Sequence, residues 1–530
     1  MQMTRPLAAA LVLAALAVPA AAVAQTVQER VDLSVVQRIR DEAYNHPQVD
    51  SLLGYLSDVI GPRVTGSPQV KQANDWAAQK LRDFGLANVV VEPWDSLFGR
   101  GWERVSYEGR ILTPFVQPLH AIPQAWSGST RDARGRPAPI TCTVTLLQIA
   151  DTTDFAQYDG KLRGGCVMWQ APPAAAPEFA PLTRRLSLDS LFAPPAPPRQ
   201  FGPGAQGAPR TAADSARFAE MQRMRTVQMR IGPFLRAQGV AVILTPSPRQ
   251  YGILNLGGHI DGRLARDSVY EPSVQLIVAL EHYGQIYRNI KRGIAVRLEL
   301  NVQNHFTDDR RAFNTLGDIP GTDKANEFVM LGGHIDSWHP GTGTSDNGVG
   351  TAVMLEAVRI LKALNLPMRR TVRIGLWSGE EEGLLGSRAW VRMHPDLLPR
   401  ISAYLNVDNG GGRLRGVYDQ MNGAVDPIFE QVLFPFRDVG VMAVRHENTG
   451  GTDHLSFDAA GVPGFQYIQD PLEYSFRIHH TDDDTMERIV SDDLHQIAAV
   501  VAWNVYEFAN RDEMIPRKPP APAGQGRRPF

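Results

Sequence analysis

Beyond about residue 290 the sequence alternates strand-like apolar runs with helix-like amphipathic runs. Short runs of strand character lie at residues 327–331, 371–377 and 401–407. Residues 349–364 repeat their apolar side chains at helical spacing and fall between the first two of these strands. Strands that are joined through helices usually lie parallel in one sheet with helices against its faces. This part of the chain is therefore expected to form an α/β sandwich around a largely parallel sheet.

Side chains that are able to bind metal lie where these strands end. His334 follows the first strand, and Glu380 and Glu381 follow the second. Asp408 follows the third strand, and His480 follows a later strand by a longer loop. In open α/β sheets, sites form at the carboxyl ends of the strands, so these distant residues are expected to converge. Imidazoles and carboxylates are the ligands of hydrolytic zinc ions.

His334 and Asp336 lie two residues apart in an extended segment, so their side chains project to the same side. A metal-bound histidine usually has a carboxylate on its second ring nitrogen, which suits this pair. A surface histidine with an unrelated aspartate fits the pair equally well. Asp346 lies in a loop rich in Gly, Thr and Ser at the start of a helix, where aspartate is favoured as an N-cap. Since a carboxylate has two oxygens, Asp346 can cap the helix and also bridge two metals.

Glu380 and Glu381 are adjacent, so one can bind metal while the other acts as a base on water. The alternative is a solvated acidic helix start. Three glutamates in a row between Gly379 and Gly383, directly after an apolar strand, fit that alternative less well.

The charge balance restricts the partners of this chain. Its 54 Lys and Arg residues nearly balance its 56 Asp and Glu residues, which leaves a formal net charge of −2. Nucleic acids and anionic membranes attract strongly basic proteins, so neither is an expected partner. A small neutral substrate is compatible with this charge.

Residues 1–24 have the pattern of a signal peptide. Arg5 precedes an apolar run at residues 7–18, and the small residues 22–24 fit a cleavage site. The run is short for a membrane span and no second one follows, so we expect a periplasmic or secreted protein without a membrane span.

Cys142 and Cys166 are the only cysteines. In an exported protein such a pair forms either a disulfide or two buried thiols, and the sequence leaves both open.

The middle of the chain has a different texture, with short strands and few helices. Within it, residues 172–210 are crowded with Pro, Ala and Gly, which predicts a poorly ordered, flexible insertion. The expected organisation is a catalytic domain in two parts, 25–114 and 286–515, around a β-rich inserted domain, 115–285, followed by a disordered tail, 516–530. A strand at 295–302 is assigned to the second catalytic part.

Several motifs occur together in a fixed order along the chain. They are Gly61-Pro62-Arg63, Gly333-His334-Ile335-Asp336-Ser337-Trp338, Asp346-Asn347, Glu380-Glu381-Glu382-Gly383, Gly451-Thr452-Asp453-His454 and His479-His480-Thr481. In this order they resemble the co-catalytic di-zinc exopeptidase family, which includes bacterial aminopeptidases and carboxypeptidase Q. The resemblance implies a three-layer α/β sandwich around a mostly parallel mixed sheet. It also implies that the β-rich region is a protease-associated domain that shapes the substrate pocket.

The resemblance further implies a ligand set for two zinc ions. His334 and Asp408 would hold one zinc, and Glu381 and His480 would hold the other. Asp346 would bridge both. The neighbouring His479 is not a ligand in this alignment.

The other site residues take their implied roles from the same motifs. Glu380 would be the general base, Asp336 would orient His334, and Asp453 would lie on the substrate side. Glu382 occupies the variable position of its motif and is expected to face solvent. Several family members carry a Tyr where this chain has Gly451, so the group that stabilises the oxyanion stays open.

The favoured function is an exported zinc exopeptidase that hydrolyses short peptides and dipeptides with a free amino terminus. Alternatives on the same fold are carboxypeptidase-type action, a one-zinc glutaminyl cyclase and a receptor-like module without activity. The receptor alternative predicts lost ligands, whereas all five are present here. The oligomeric state, monomer or homodimer, stays open.

Overall fold

The computed structural model describes residues 28–194 and 212–519. The expected signal peptide, 1–24, lies outside the described residues, as do residues 195–211 of the Pro-rich segment. Within the described ranges, no helix is long and apolar enough to cross a lipid bilayer.

Sixteen strands of the described chain form two eight-stranded sheets. The first sheet has the order β1-β10-β12-β11-β13-β16-β14-β15. Its strands are β1 Ala87–Pro93, β10 Phe313–Ile319, β11 Lys324–His334, β12 Arg370–Trp377, β13 Ile401–Asn406, β14 Leu414–Tyr418, β15 Ala443–Arg445 and β16 Gly464–Gln469. The second sheet has the order β3-β2-β9-β5-β6-β7-β8-β4. Its strands are β2 Trp102–Thr113, β3 Gln117–Pro118, β4 Ala121–Pro123, β5 Ile140–Leu146, β6 Cys166–Met168, β7 Val242–Pro246, β8 Val274–Val278 and β9 Arg297–Phe306.

The α-helices flank these two sheets. They are α1 Leu33–Asn45, α2 Val49–Gly54, α3 Pro68–Asp83, α4 Leu188–Phe192, α5 Ala212–Gln238, α6 Gly262–Asp267, α7 Leu280–Lys291, α8 Val349–Ala363, α9 Leu385–Met393, α10 Asp426–Val432, α11 His454–Ala459 and α12 Ser491–Asn510.

The first sheet is the middle layer of an α/β sandwich. On one face, α8 and α12 bury an aliphatic core against the central strands. On the other face, Trp377, Tyr404 and Phe457 form an aromatic core with α9 and α11. The predicted mixed α/β fold is confirmed. The sequence did not predict β10, which pairs antiparallel between β1 and β12.

Four neighbouring strands of the first sheet, β12, β11, β13 and β16, run parallel. Their carboxyl ends therefore lie at one edge. In this register His334 is opposite Trp377, so the loops after β11 and β12 begin side by side. The central strands are buried on both faces, which explains their nearly continuous apolar sequences.

The second sheet extends beyond the boundaries expected from the sequence. Its strands β2 and β9, at residues 102–113 and 297–306, pair antiparallel along most of their length. We expected both stretches in the catalytic part, outside residues 115–285. The prediction missed their place because strand propensity indicates a strand without indicating its partner.

The second sheet also contains both cysteines. Cys142 of β5 and Cys166 of β6 form a disulfide, with 5.8 Å between their Cα atoms. The strands β5 and β6 are parallel neighbours, which brings the two side chains together.

Residues 183–193, which we call the strap, pack against the first sheet. Leu191 of α4 is buried with Ala443 and Ile468. The Arg185 guanidinium donates to Asp470 and Asp493, whose side chains are 0% and 6% exposed. The strap therefore differs from the flexible insertion expected over 172–210. The hydrogen bonds of Arg185 to Asp470 and Asp493 hold the strap in place, and amino-acid composition does not reveal such contacts.

The carboxyl-terminal tail begins in an ordered way as well. Arg517 donates to the carbonyl oxygens of Gly461, Leu398 and Ile401. The expectation of a disordered tail from residue 516 is therefore wrong for its first residues. Residues 520–530 lie outside the described chain.

Replacing Arg185 with alanine is expected to lower the free energy of unfolding by about 1–2 kcal/mol, because two buried carboxylates lose a charged donor. The value is modest because Arg185 keeps 36% exposure and Asp470 retains Arg413 and Arg415. Urea denaturation measures it. Arg184→Ala, one residue away and exposed, is the control. Equal stabilities of the two variants would contradict this role of the strap.

Candidate metal centre

Five side chains predicted as metal ligands converge at one edge of the first sheet. His334 is the last residue of β11, and Asp346 lies in the turn that leads into α8. Glu381 and Asp408 lie in the loops after β12 and β13, and His480 lies in the loop after β16. The convergence follows from the parallel strands, because each loop starts at the same edge.

Their ligand atoms form two groups that share Asp346. His334 Nε2 lies 3.4 Å from Asp346 Oδ1 and 3.4 Å from Asp408 Oδ1. His480 Nε2 lies 2.9 Å from Glu381 Oε2 and 3.4 Å from Asp346 Oδ2. Asp346 therefore presents one carboxylate oxygen to each group.

Several atoms of these groups are buried without a hydrogen-bond partner within the described chain. They are His334 Nε2, Asp346 Oδ2, Glu381 Oε1 and Asp408 Oδ1. Buried polar atoms in native proteins are almost always satisfied. These unpartnered atoms, one nitrogen and three carboxylate oxygens, are suitable ligands for divalent cations. Zinc in particular is bound by His, Asp and Glu side chains.

The electrostatics of the centre also fit a cation. Burial raises the pKa of Glu380 well above its usual value, and the nearby carboxylate of Asp408 raises it further. Burial and the nearby Asp346 likewise raise the pKa of Glu381. Burial alone would lower the pKa of His334, but Asp408 and Glu380 raise it well above the ordinary value. The negative charge of the neighbouring carboxylates is thus larger than the positive charge that the imidazoles can supply. A bound cation would reduce the repulsion between the carboxylates.

The turn that carries Asp346 is held by two residues that the sequence did not single out for this role. Asp484 accepts hydrogen bonds from the main-chain N–H groups of Ser345 and Asp346, at 2.6 and 3.1 Å. Arg63 is completely buried and donates to the carbonyl oxygens of Ile335, Thr342 and Gly343. These bonds fix where the Asp346 carboxylate points.

Asp336 organises the loops around His334. His334 Nδ1 lies 3.0 Å from the main-chain oxygen of Asp336 and 3.5 Å from its Oδ1, so both groups orient the ring. The Asp336 carboxylate also accepts a hydrogen bond from Thr65 Oγ1 and long ones from the N–H groups of Glu380 and Glu381. It therefore supports both the histidine loop and the glutamate loop.

The three consecutive glutamates point to different surroundings. Glu381 faces His480, whereas the Glu380 carboxylate lies 3.9 Å from His334 and lines the cavity. Glu382 does not face solvent as expected, because its Oε2 is buried without a partner. Burial and the nearby Asp336 raise the pKa of Glu382 to about 8, and a hydrogen bond to Thr65 opposes this. Thr65 and Arg266, which are far from Glu382 in the sequence, lie near its carboxylate, and the motif does not encode these contacts.

The second sheet holds the loop of His480. After β7, the side chain of Asn255 donates to the carbonyl oxygens of His479 and His480, at 3.0 and 3.1 Å. The N–H group of Leu256 donates to the carbonyl oxygen of His480 at 2.7 Å. His480 has a φ of 60°, an unusual conformation for a residue other than glycine, and these bonds stabilise it. No sequence pattern indicated this role of Asn255, because its partner lies 225 residues away.

A cavity of about 510 Å³ opens over the centre. Its lining residues are Asp346, Glu380, Glu381, Gly383, Leu384, Asp408, Asn409, Gly450, Gly451, Thr452, Tyr474, His479 and His480. Four of them are carboxylates, and none is Lys or Arg. The cavity is therefore strongly acidic.

Two expectations about the cavity wall need comment. Asp453 is fully buried and accepts a hydrogen bond from Ser387, so it lies behind the wall and does not face the cavity. Its neighbour Thr452 lines the cavity in its place. No atom lies within 4 Å of the place that a Cβ would take at Gly451, so the cavity wall is open at this position.

The chain is similar to known peptidases over most of its length. The model of Peptidase family M28 matches residues 314–505. Carboxypeptidase Q of Xenopus laevis is 30% identical over 492 residues, covering 92% of this chain and 90% of that protein. Aminopeptidase YwaD of Bacillus subtilis (strain 168) is 29% identical over 201 residues, covering 37% of this chain and 44% of that protein.

Two solved structures share the fold. A Peptidase M28 precursor from Shewanella amazonensis SB2B superimposes with a TM-score of 0.66 at 24% identity, covering 92% of this chain and 98% of that chain. BSAP, a zinc aminopeptidase from Bacillus subtilis, superimposes with a TM-score of 0.56 at 18% identity, covering 88% of this chain and 95% of that chain. At these identities the two likenesses concern the fold.

Proposed function

Because the chain belongs to peptidase family M28, a family of metallo-exopeptidases, we propose that it is an exported zinc exopeptidase acting on short peptides with a free amino terminus. The observation that carries this proposal is the pair of ligand groups that share Asp346. A single-metal site would need only one of them.

Two zinc ions belong to the proposal. His334 and Asp408 would hold one, Glu381 and His480 would hold the other, and Asp346 would bridge them. When bound, zinc polarises a carbonyl oxygen and lowers the pKa of water.

Glu380 is the side chain that we assign as the general base. It lines the cavity, and its Oε2 lies 3.9 Å from His334 Nε2, farther away than the facing oxygens of Asp346 and Asp408 at 3.4 Å. Glu380 takes a proton from the attacking water as the water oxygen bonds to the scissile carbonyl carbon. It then delivers the proton to the amine nitrogen as the C–N bond breaks.

The acidic lining of the cavity supports the preference for an amino terminus. Three of the four lining carboxylates would be zinc ligands, so Glu380 is the lining carboxylate left to attract a substrate ammonium group, and no Lys or Arg lines the cavity to oppose it. The amino end is therefore placed at the centre, and the carboxyl end is directed away from it.

We expect the purified protein to contain two zinc ions per chain and to hydrolyse a dipeptide whose amino terminus is free. Acetylation of that terminus is expected to reduce kcat/KM strongly, because it removes the positive charge that the cavity attracts. Elemental analysis measures the zinc, and release of free amino acid measures the hydrolysis.

Other results would support different functions. A metal content that never exceeds one ion per chain would favour the one-zinc cyclase. Faster hydrolysis of the acetylated dipeptide than of the free one would favour carboxypeptidase-type action, which the name of the Xenopus relative describes for that protein.

A further inference from the structure

We propose that Arg249, in the loop after β7 of the second sheet, binds the terminal carboxylate of short peptide substrates. It would thereby select dipeptides and similarly short peptides. This inference rests on the proposed function, since it concerns the far end of the same substrate. It names a residue that none of the sequence motifs contains.

Arg249 is a cation without a partner in the described part of the chain. Its guanidinium makes no ion pair and no hydrogen bond there, and its Nε is buried without an acceptor. The Nε atoms of Arg477 and Arg488 are also buried without a hydrogen-bond partner, but both guanidinium groups lie close to the carboxylates of Glu473 and Asp483, whereas that of Arg249 does not pair with a carboxylate of the described chain. A half-buried guanidinium without a carboxylate is unusual, since arginine is rarely buried unless it is paired.

Arg249 stands beside the loop that forms one wall of the cavity. Its guanidinium carbon lies 5.9 Å from the ring centre of Phe476. Phe476 lies between Tyr474 and His479, which both line the cavity. Arg249 therefore lies beside the loop that forms this side of the cavity, next to the residues that line it.

The loop that carries Arg249 is fixed to this wall. Ser247 is buried, and its hydroxyl accepts hydrogen bonds from the N–H groups of Arg249 and Asn255. Asn255 in turn holds the carbonyl oxygens of His479 and His480. The position of Arg249 relative to the metal ligands is therefore set by a continuous series of hydrogen bonds.

The charges of the cavity and of its rim suit the two ends of a short peptide. Glu380, the cavity carboxylate that is not a proposed zinc ligand, attracts the ammonium group, and Arg249 offers the bidentate donor pair that carboxylates prefer. A long peptide cannot place its carboxylate at the rim while its amino end lies at the centre. The distance between the two charges would therefore restrict the length of good substrates.

The test compares a dipeptide with its carboxyl-terminal amide, using wild-type protein and Arg249→Gln. With the dipeptide, the variant is expected to raise KM about 10- to 100-fold, the usual effect of losing a charged hydrogen bond. With the amide, KM is expected to stay within about two-fold. The value of kcat is expected to change little, since Arg249 does not touch the scissile bond. Arg249→Lys should recover part of the loss because it keeps the charge.

The exposed Arg134 provides a matched control, and Arg134→Gln should leave both substrates unaffected. An equal rise of KM for dipeptide and amide in Arg249→Gln would show a structural role and overturn the proposal. An unchanged KM for the dipeptide would also overturn it. Failure of wild-type protein to cleave either substrate would instead contradict the proposed function, so the two failures are distinguishable.

Discussion

Replacing Glu380 with glutamine is expected to reduce kcat by about 10²- to 10⁴-fold, the usual contribution of a positioned general base. Both zinc ions are expected to remain, because Glu380 is not one of the five proposed ligands and its carboxylate lies 3.9 Å from His334. KM should change little, since glutamine has nearly the same shape. Steady-state kinetics and elemental analysis of the same preparation measure these quantities.

The neighbouring glutamates are the controls for this result. Glu381→Gln is expected to lose zinc and to regain some activity with excess zinc, because Glu381 faces His480 at 2.9 Å. Glu382→Gln is expected to retain zinc, because its carboxylate points toward Thr65. If Glu382→Gln is the variant that loses zinc, the roles of the three residues are shifted by one position.

Replacing Asp346 with alanine is expected to remove metal from both sites together, because its two oxygens face the two different groups. The loss of activity should be at least as large as that of Glu380→Gln, since neither the carbonyl nor the water would then be activated. His480→Ala should mainly weaken one site. Metal content after dialysis distinguishes the variants, with circular dichroism as a control for folding.

Loss of only one ion from Asp346→Ala would contradict the bridging role. The same result from His480→Ala and Asp346→Ala would mean that the two ions bind as a single unit, and the division into two groups would then have no thermodynamic meaning.

The convergence of the proposed ligands could be predicted from the sequence because it depends on local patterns. His334, Glu381 and Asp408 each follow a short apolar strand, and strands of one parallel sheet end at one edge. The order of the motifs added Asp346 and His480. No knowledge of the packing was needed for the residues directly after a strand, since the end of a strand determines where the following loop begins.

The environment of the site could not be predicted in this way. Glu382 is enclosed and Asp453 lies behind the cavity wall because of packing between elements far apart in the chain. Asn255 and Arg249 lie after β7 of the other sheet. Neither belongs to a stretch whose composition indicates a functional site. Which strands pair, as β2 and β9 do, depends on contacts across nearly two hundred residues.

The pairing of β2 with β9 has a consequence for the order of folding. The edge strand β1 must meet β10, although more than two hundred residues separate them along the chain. Bringing the ends of a flexible segment together becomes more costly in entropy as the segment lengthens. Once β2 and β9 are joined, only the short connections at residues 94–101 and 307–312 remain to be closed. We therefore expect the second sheet to form early in folding. The metal ligands are expected to assemble only after β1 has paired with β10 at the edge of the first sheet.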